Sequence, residues 1–183
     1  MIMNKLFKLK ALTFFACAFL VSTIAMAQMT PGAKTIASPR DSVSGTVAGS
    51  VIKINYGSPS VKGRKIFGGL QPYGKNWRAG ANAATTFETS KDIKIEGKTL
   101  PAGKYTLFAT PGEKEWTIVF NSVTGQWGIK RDGSANDDPA KDVVVVTVNA
   151  MTTKELVERL VYKLDKKGFS LSWENTEVRV KIK

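Results

Sequence analysis

Thr152–Trp173 reads TTKELVERLVYKLDKKGFSLSW, and its reading decides between a mixed fold and an all-β one. As a helix, Thr152 and Glu155 make a capping box. Leu156, Val157, Leu160, Val161 and Leu164 then share one face, and Gly168 closes the last turn. As a hairpin turning at Lys166-Lys167, Leu164 faces Phe169, Tyr162 faces Leu171 and Leu160 faces Trp173. Val161, Lys163 and Asp165 then share the other face with Ser170 and Ser172. Such agreement across two strands is hard to obtain by chance. Local signals by themselves lean slightly to the helix.

Outward from this stretch the pattern is of strands. Ile52, Ile54 and Tyr56 alternate with Val51, Lys53 and Asn55, the period of two of a half-buried strand. Thr85–Thr89, Ile93–Ile95 and Tyr105–Thr110 follow, separated by turns at Gly97-Lys98 and at Leu100–Gly103. Pro111–Glu115 turns the chain into Trp116–Asn121, and Trp127-Gly128-Ile129 reads as a further short strand. Val143–Val148 is an unbroken β-branched run, as in a strand buried on both faces. Val178, Val180 and Ile182 make a last strand. Spacing of this kind predicts an all-β, single-domain antiparallel β-sandwich, jelly-roll-like, with a long glycine-rich loop after the first long strand.

The N-terminus reads as a processing signal. Lys5, Lys8 and Lys10 precede an apolar run from Ala11 to Met26, and Ala25-Met26-Ala27 fits a cleavage box. Residues 1–27 are expected to be removed, leaving no membrane span, and the protein to be exported to the periplasm or beyond. Residues 28–42 carry no apolar periodicity and are expected to be a flexible tether before a domain at 43–183. The full chain holds 27 basic and 15 acidic residues. The signal takes three of the basic ones, so the mature charge is 24 − 15 = +9.

The only cysteine, Cys17, leaves with the signal, and histidine is absent. Catalysis by Ser-His-Asp or Cys-His groups is therefore excluded, as are zinc and copper sites made from those side chains. No cofactor is expected. The basic surface is read as diffuse, so nucleic acid is not expected as a partner.

The chemistry-bearing stretch is Tyr56–Glu88, YGSPSVKGRKIFGGLQPYGKNWRAGANAATTFE, with six glycines. No acidic residue lies between Asp41 and Glu88, while Lys53, Lys62, Arg64, Lys65, Lys75 and Arg78 all do. Arg64, Lys65 and Arg78 suit a carboxylate, phosphate or sulfate, because guanidinium offers a planar fork of donors. Tyr73 and Trp77 offer flat faces for a sugar, and Asn82 and Thr85 offer neutral hydrogen bonds. The competing reading makes the loop a structural cap, with Ile66, Phe67, Leu70 and Trp77 plugging the core and Arg78 bonded to carbonyls.

Glu88 is the carboxylate to consider for acid/base work on a polysaccharide, though a glycosidase needs two carboxyls across a cleft. Asp132, Asn136, Asp137, Asp138 and Asp142 lack the ligand spacing of a calcium loop and read as a solvated turn. Trp116, Trp127 and Trp173 are expected in the core. The leading expectation is a non-catalytic module for a small anionic or carbohydrate ligand. The alternatives are a hydrolase and a structural or protein-interaction domain.

YGSPSVKGRKIFGGLQPYGKNWRAGANAATTF, LPAGKYTLFATPGEKEWTIVFN and QWG together resemble an exported bacterial family, domain-of-unknown-function family 2911. The likeness runs from about Ser38 to Lys183 and is looser over 142–163. It implies a single β-sandwich-like domain and tips Thr152–Trp173 towards strand. No activity comes with it.

Overall fold

The computed structural model describes residues 37–183. The signal expected at 1–27 and the tether as far as residue 36 lie outside the described residues. Nine strands follow in order: β1 Arg40–Val47, β2 Ser50–Gly57, β3 Thr86–Thr89, β4 Ile93–Ile95, β5 Lys98–Leu100, β6 Gly103–Thr110, β7 Glu115–Asn121, β8 Asp142–Asp165 and β9 Gly168–Lys181. Seven form one antiparallel sheet in the order β1-β2-β3-β6-β7-β8-β9, and β4-β5 is a separate ribbon. Residues 40–42, expected in the tether, belong to β1, where Arg40 pairs with Gly57. The domain therefore opens earlier than residue 43.

Thr152–Phe169 is strand throughout its paired parts, and the fold is all-β. Leu164 pairs with Phe169 and Tyr162 with Leu171, as the hairpin reading requires. The Leu160–Trp173 pair is not made, because the register shifts between Val157 and Val161. That shift frees the Leu160 backbone for a different partner. Its NH donates to Pro59 O at 3.0 Å and its carbonyl accepts from Ser58 Oγ at 2.7 Å. Val61 NH likewise donates to Glu158 O at 2.8 Å. The chain leaving β2 is thus stitched to β8, and the sheet curls into a nearly closed barrel-like form. The two layers expected of a sandwich come from one sheet folding over on itself.

β8 serves two ladders. Residues 142–149 pair with β7, and residues 150–165 pair with β9. The valine run at its start is buried on one face only. Val144, Val146 and Val148 are in the core, whereas Val143 is 41% and Val145 38% exposed. Trp127–Ile129 forms no strand; Ile129 makes an isolated bridge to Ala135. Trp127 is 56% exposed, not core, whereas Trp116 and Trp173 are fully buried.

The core holds two aromatic groups. Phe67 meets Trp116 edge-on at 4.6 Å, and Trp77 stacks on Trp173 at 5.9 Å and 25°. Phe87, Phe120 and Phe169 pack beyond them, with Phe87–Phe120 at 5.0 Å. Each well-oriented aromatic pair contributes about 1 kcal/mol beyond its buried area. Tyr56 and Tyr162 join this group at 4.7 Å. Burial pushes the Tyr56 phenol up to about 12, so it stays protonated and donates to Asp41 Oδ2 at 2.9 Å.

Candidate functional site

The loop between β2 and β3 is tied down at both ends and at its middle. Ile66, Phe67 and Trp77 are buried, as a cap would have them, but Leu70 is 46% exposed and plugs nothing. Glu174 reaches across from β9, its carboxylate accepting from Ile66 NH at 3.0 Å and Phe67 NH at 3.4 Å. Glu174 itself has a positive φ of 55° at the register shift. That left-handed backbone turns its side chain to the loop at a cost of about 1–2 kcal/mol.

The turn at residues 77–82 is over-determined. Ala79 and Asn82 both have positive φ, 53° and 63°. Trp77 Nε1 donates to Gly80 O at 3.0 Å, and Ala79 O accepts from both Tyr162 Oη at 2.8 Å and Thr85 Oγ1 at 3.0 Å. Asn82 Nδ2 donates to Ser38 O at 2.8 Å. Asn82 and Thr85 thus hold the turn's shape, and neither lines the cleft described next.

That cleft, of about 760 Å³, opens between this loop and the turn at residues 129–135. Four cationic side chains line it: Arg64, Lys75, Arg78 and Lys130. No aspartate or glutamate does. Arg64 is fixed by Nε to Val61 O at 3.0 Å and Nη2 to Ser60 O at 2.6 Å. Arg78 donates Nη1 to Trp127 O at 3.0 Å, and its guanidinium lies over the Trp127 ring at 5.4 Å. Burial lowers the Arg78 pKa from its ordinary value. A guanidinium has five N–H donors, so both arginines keep spare ones after these bonds.

Trp77 and Trp173 also line the cleft, but at 6% and 1% exposure they offer it little surface. Lys65 and Tyr73, both exposed, are not on its lining. Of the residues read from sequence, Arg64, Trp77 and Arg78 are brought together. Lys75 lies in the acid-free stretch, but nothing in sequence separates it from the exposed lysines around it. Lys130 and Trp173 come from far along the chain, and no local pattern marks them.

Glu88 lies elsewhere. It is exposed on β3, in register with Lys53 on one side and Lys104 on the other, and it is not a cleft residue. The acidic residues near the far wall are taken up by their own loop. Asp132 accepts from Ser134 NH and Oγ, which holds its carboxyl below the ordinary value. Asp138 caps a short 3-10 turn at Pro139–Lys141. Among the described residues, no cluster of three or more His, Cys, Asp or Glu is placed to hold a metal.

Asp137 joins the two walls. It accepts from Asn76 Nδ2 at 2.6 Å and from Asn121 Nδ2 at 3.1 Å, and the same Asn121 nitrogen donates to Asp142 Oδ1 at 2.8 Å. Burial first, and then the neighbouring Asp142 carboxylate, push Asp137 up to about 6. The folded protein therefore holds a proton that the unfolded chain releases near the ordinary value of 3.8. Stability contributed here is expected to fall as pH rises from about 4 to about 6. Allowing for solvent screening of a half-exposed group, the fall is about 1 kcal/mol. Asp137→Asn should flatten that slope, while its amide group meets one of the two N–H donors that the carboxylate accepts from, so the slope and not the absolute stability is the readout. Urea melts of both proteins across this range check it, and parallel curves would show that Asp137 carries no such load.

Among the described residues no helix is long and apolar enough to cross a membrane. No curated protein and no solved structure matches the chain. One family does, described as protein of unknown function (DUF2911), over residues 38–182.

Proposed function

We propose, for a chain that belongs to this family of unknown function, an exported envelope module that holds a small anionic or carbohydrate ligand without turning it over. The observation that carries this reading is the cleft lining, with four cations and no carboxylate. Among the described residues the only ion pairs join Arg179 to Asp165 and Glu177, so none of the four is neutralised by a partner. Export is supported by the basic residues, apolar run and Ala25-Met26-Ala27 box at the N-terminus.

Arg64 and Arg78 are pre-set by their bonds to carbonyls, so little side-chain entropy is lost when an oxyanion takes their remaining donors. Lys75 and Lys130 supply charge from two sides. Asn76 and Gln71, also on the lining, suit sugar hydroxyls. Apolar contact comes chiefly from Leu70, Pro72 and Ile129, since both tryptophans are buried.

A thermal-shift screen of the purified protein against sugar acids, phosphates and sulfates tests this, since a ligand of the native state raises apparent stability by mass action. For a binder so found, Arg78→Ala is expected to weaken affinity about tenfold or more, the worth of a charge-assisted hydrogen bond. Titration calorimetry reads it. Unchanged affinity would remove Arg78 from the site.

A second reading, a structural or protein-interaction domain, is favoured by one observation. Arg64, Arg78, Asn82 and Thr85 all donate to backbone carbonyls of the loop or its neighbours. It expects Arg78→Ala to lower stability with no ligand to lose. A hydrolase acting through Glu88 would need a second carboxyl facing it across a cleft. The residues opposite Glu88 are Lys53 and Lys104.

A further inference from the structure

A second, smaller cleft of about 430 Å³ opens on the outer face of the sheet. Arg40, Lys53 and Lys104 line it, and again no aspartate or glutamate does. The two clefts share three chain segments. Ser38 lines the first and Arg40 the second; Gly80 and Ala81 line the first, Ala83 and Ala84 the second; Ile129 and Lys130 line the first, Gly125 and Gln126 the second. Two residues of extended chain span roughly 7 Å, so only a narrow ridge divides the clefts.

The ridge is held by bonds that run across it. Asn82 Nδ2 donates to Ser38 O, Arg40 Nη1 to Ala83 O at 3.3 Å, and Ala84 NH to Gln126 O at 3.2 Å. Trp127 stands between Gln126 and Gly128 with one ring face under the Arg78 guanidinium. Trp127 is on the lining of neither cleft, but it is 56% exposed between Gln126 of the second and Arg78 of the first, where a sugar chain crossing from one to the other would meet it.

We propose that the two clefts form one track for a linear anionic polysaccharide, an inference that rests on the ligand reading of the first cleft. Four cations engage the chain on one side of the ridge and three on the other. Asn55, Thr86 and Gln126 offer neutral partners for hydroxyl groups in the second cleft. Glu88 borders Lys53 and Lys104 in register and offsets part of their charge, without forming an ion pair. The second cleft is therefore the weaker half. A single-stranded nucleic acid fits less well, because such strands are gripped by rows of exposed aromatics. Here Trp127 offers one free ring face.

The test uses galacturonate monomer, oligogalacturonates of increasing length, uncharged cello-oligosaccharides and oligo-thymidylate, with binding read by calorimetry at two salt concentrations. Joining two weak sites through one ligand is expected to raise affinity roughly 100-fold once the chain reaches both clefts. The double variant Lys53→Ala/Lys104→Ala, both exposed side chains, should abolish the gain in affinity with chain length. Monomer binding with no gain from length, or a double variant that binds long chains as tightly as the parent, overturns the track while the first cleft keeps its ligand. Equal or tighter binding of oligo-thymidylate overturns the polysaccharide assignment. Binding of none of these overturns the track, and the first-cleft reading falls with it only if the screen against sugar acids, phosphates and sulfates is also empty.

Discussion

Gly57→Ala is expected to cost the domain about 3 kcal/mol or more, the range of a buried overpacking that its surroundings cannot relieve. Gly57 ends β2, where the chain enters the loop. An added Cβ would fall inside the van der Waals shell of the Ala81 carbonyl oxygen and 2.7 Å from its carbon. Both parties are backbone, so no side chain can swing away. Relief requires the turn at 77–82 to move, and that turn is held by Trp77 Nε1 to Gly80 O and by Ala81 NH to Gly57 O at 3.2 Å. Gly63→Ala is the matched control. Nothing lies within 4 Å of its added Cβ, so only the left-handed φ of 68° is charged, about 1–2 kcal/mol. Denaturant midpoints of the two variants, at equal m-values, read the difference. Equal losses would mean that the loop yields freely at Gly57.

Trp77→Ala is expected to remove about 3–5 kcal/mol, as large-to-small changes at buried aromatics do. The ring stacks on Trp173 and meets Phe67 at 6.2 Å and Trp116 at 6.5 Å, so its loss opens a hole among side chains that share contacts. Trp77→Phe keeps most of the packing but gives up the bond to Gly80 O, and should cost about 1–2 kcal/mol. Near-ultraviolet circular dichroism should lose much of its tryptophan signal in the alanine variant. A loss under about 1 kcal/mol for Trp77→Ala would contradict its place in the core.

Much of this architecture was legible in the chain. The alternation in residues 160–173 set the β8–β9 register correctly at Leu164–Phe169 and Tyr162–Leu171, because each strand independently marks its inner face. The register shift was invisible, since a glutamate at φ 55° leaves no trace in sequence. β1 carries a weak signal because its outward residues after Arg40 are small and its inward burial is partial. The valines at 143–148 gave no sign of a wet face, as no polar residue alternates among them before Thr147. The acid-free stretch, a signal that survives without knowing the fold, points to Arg64 and Arg78, which line one cleft with Trp77. Asn82 and Thr85 were not separable from ligand donors, because an amide or hydroxyl that holds a turn looks the same in sequence as one that holds a sugar.

The bond from Glu174 to Ile66 spans 108 residues, and that from Ser58 to Leu160 spans 102. For a chain made and delivered from its N-terminal end, this separation sets an order of events. Phe67 and Trp77 emerge early, yet Trp173 and the Glu174 clamp arrive only with the final strand. Contacts this remote are slow to form, and apolar side chains waiting for them are prone to stray association. The loop that shapes the cleft is therefore among the first parts synthesised and the last to be secured, and a chain truncated short of Trp173 leaves Phe67 and Trp77 without their final cover.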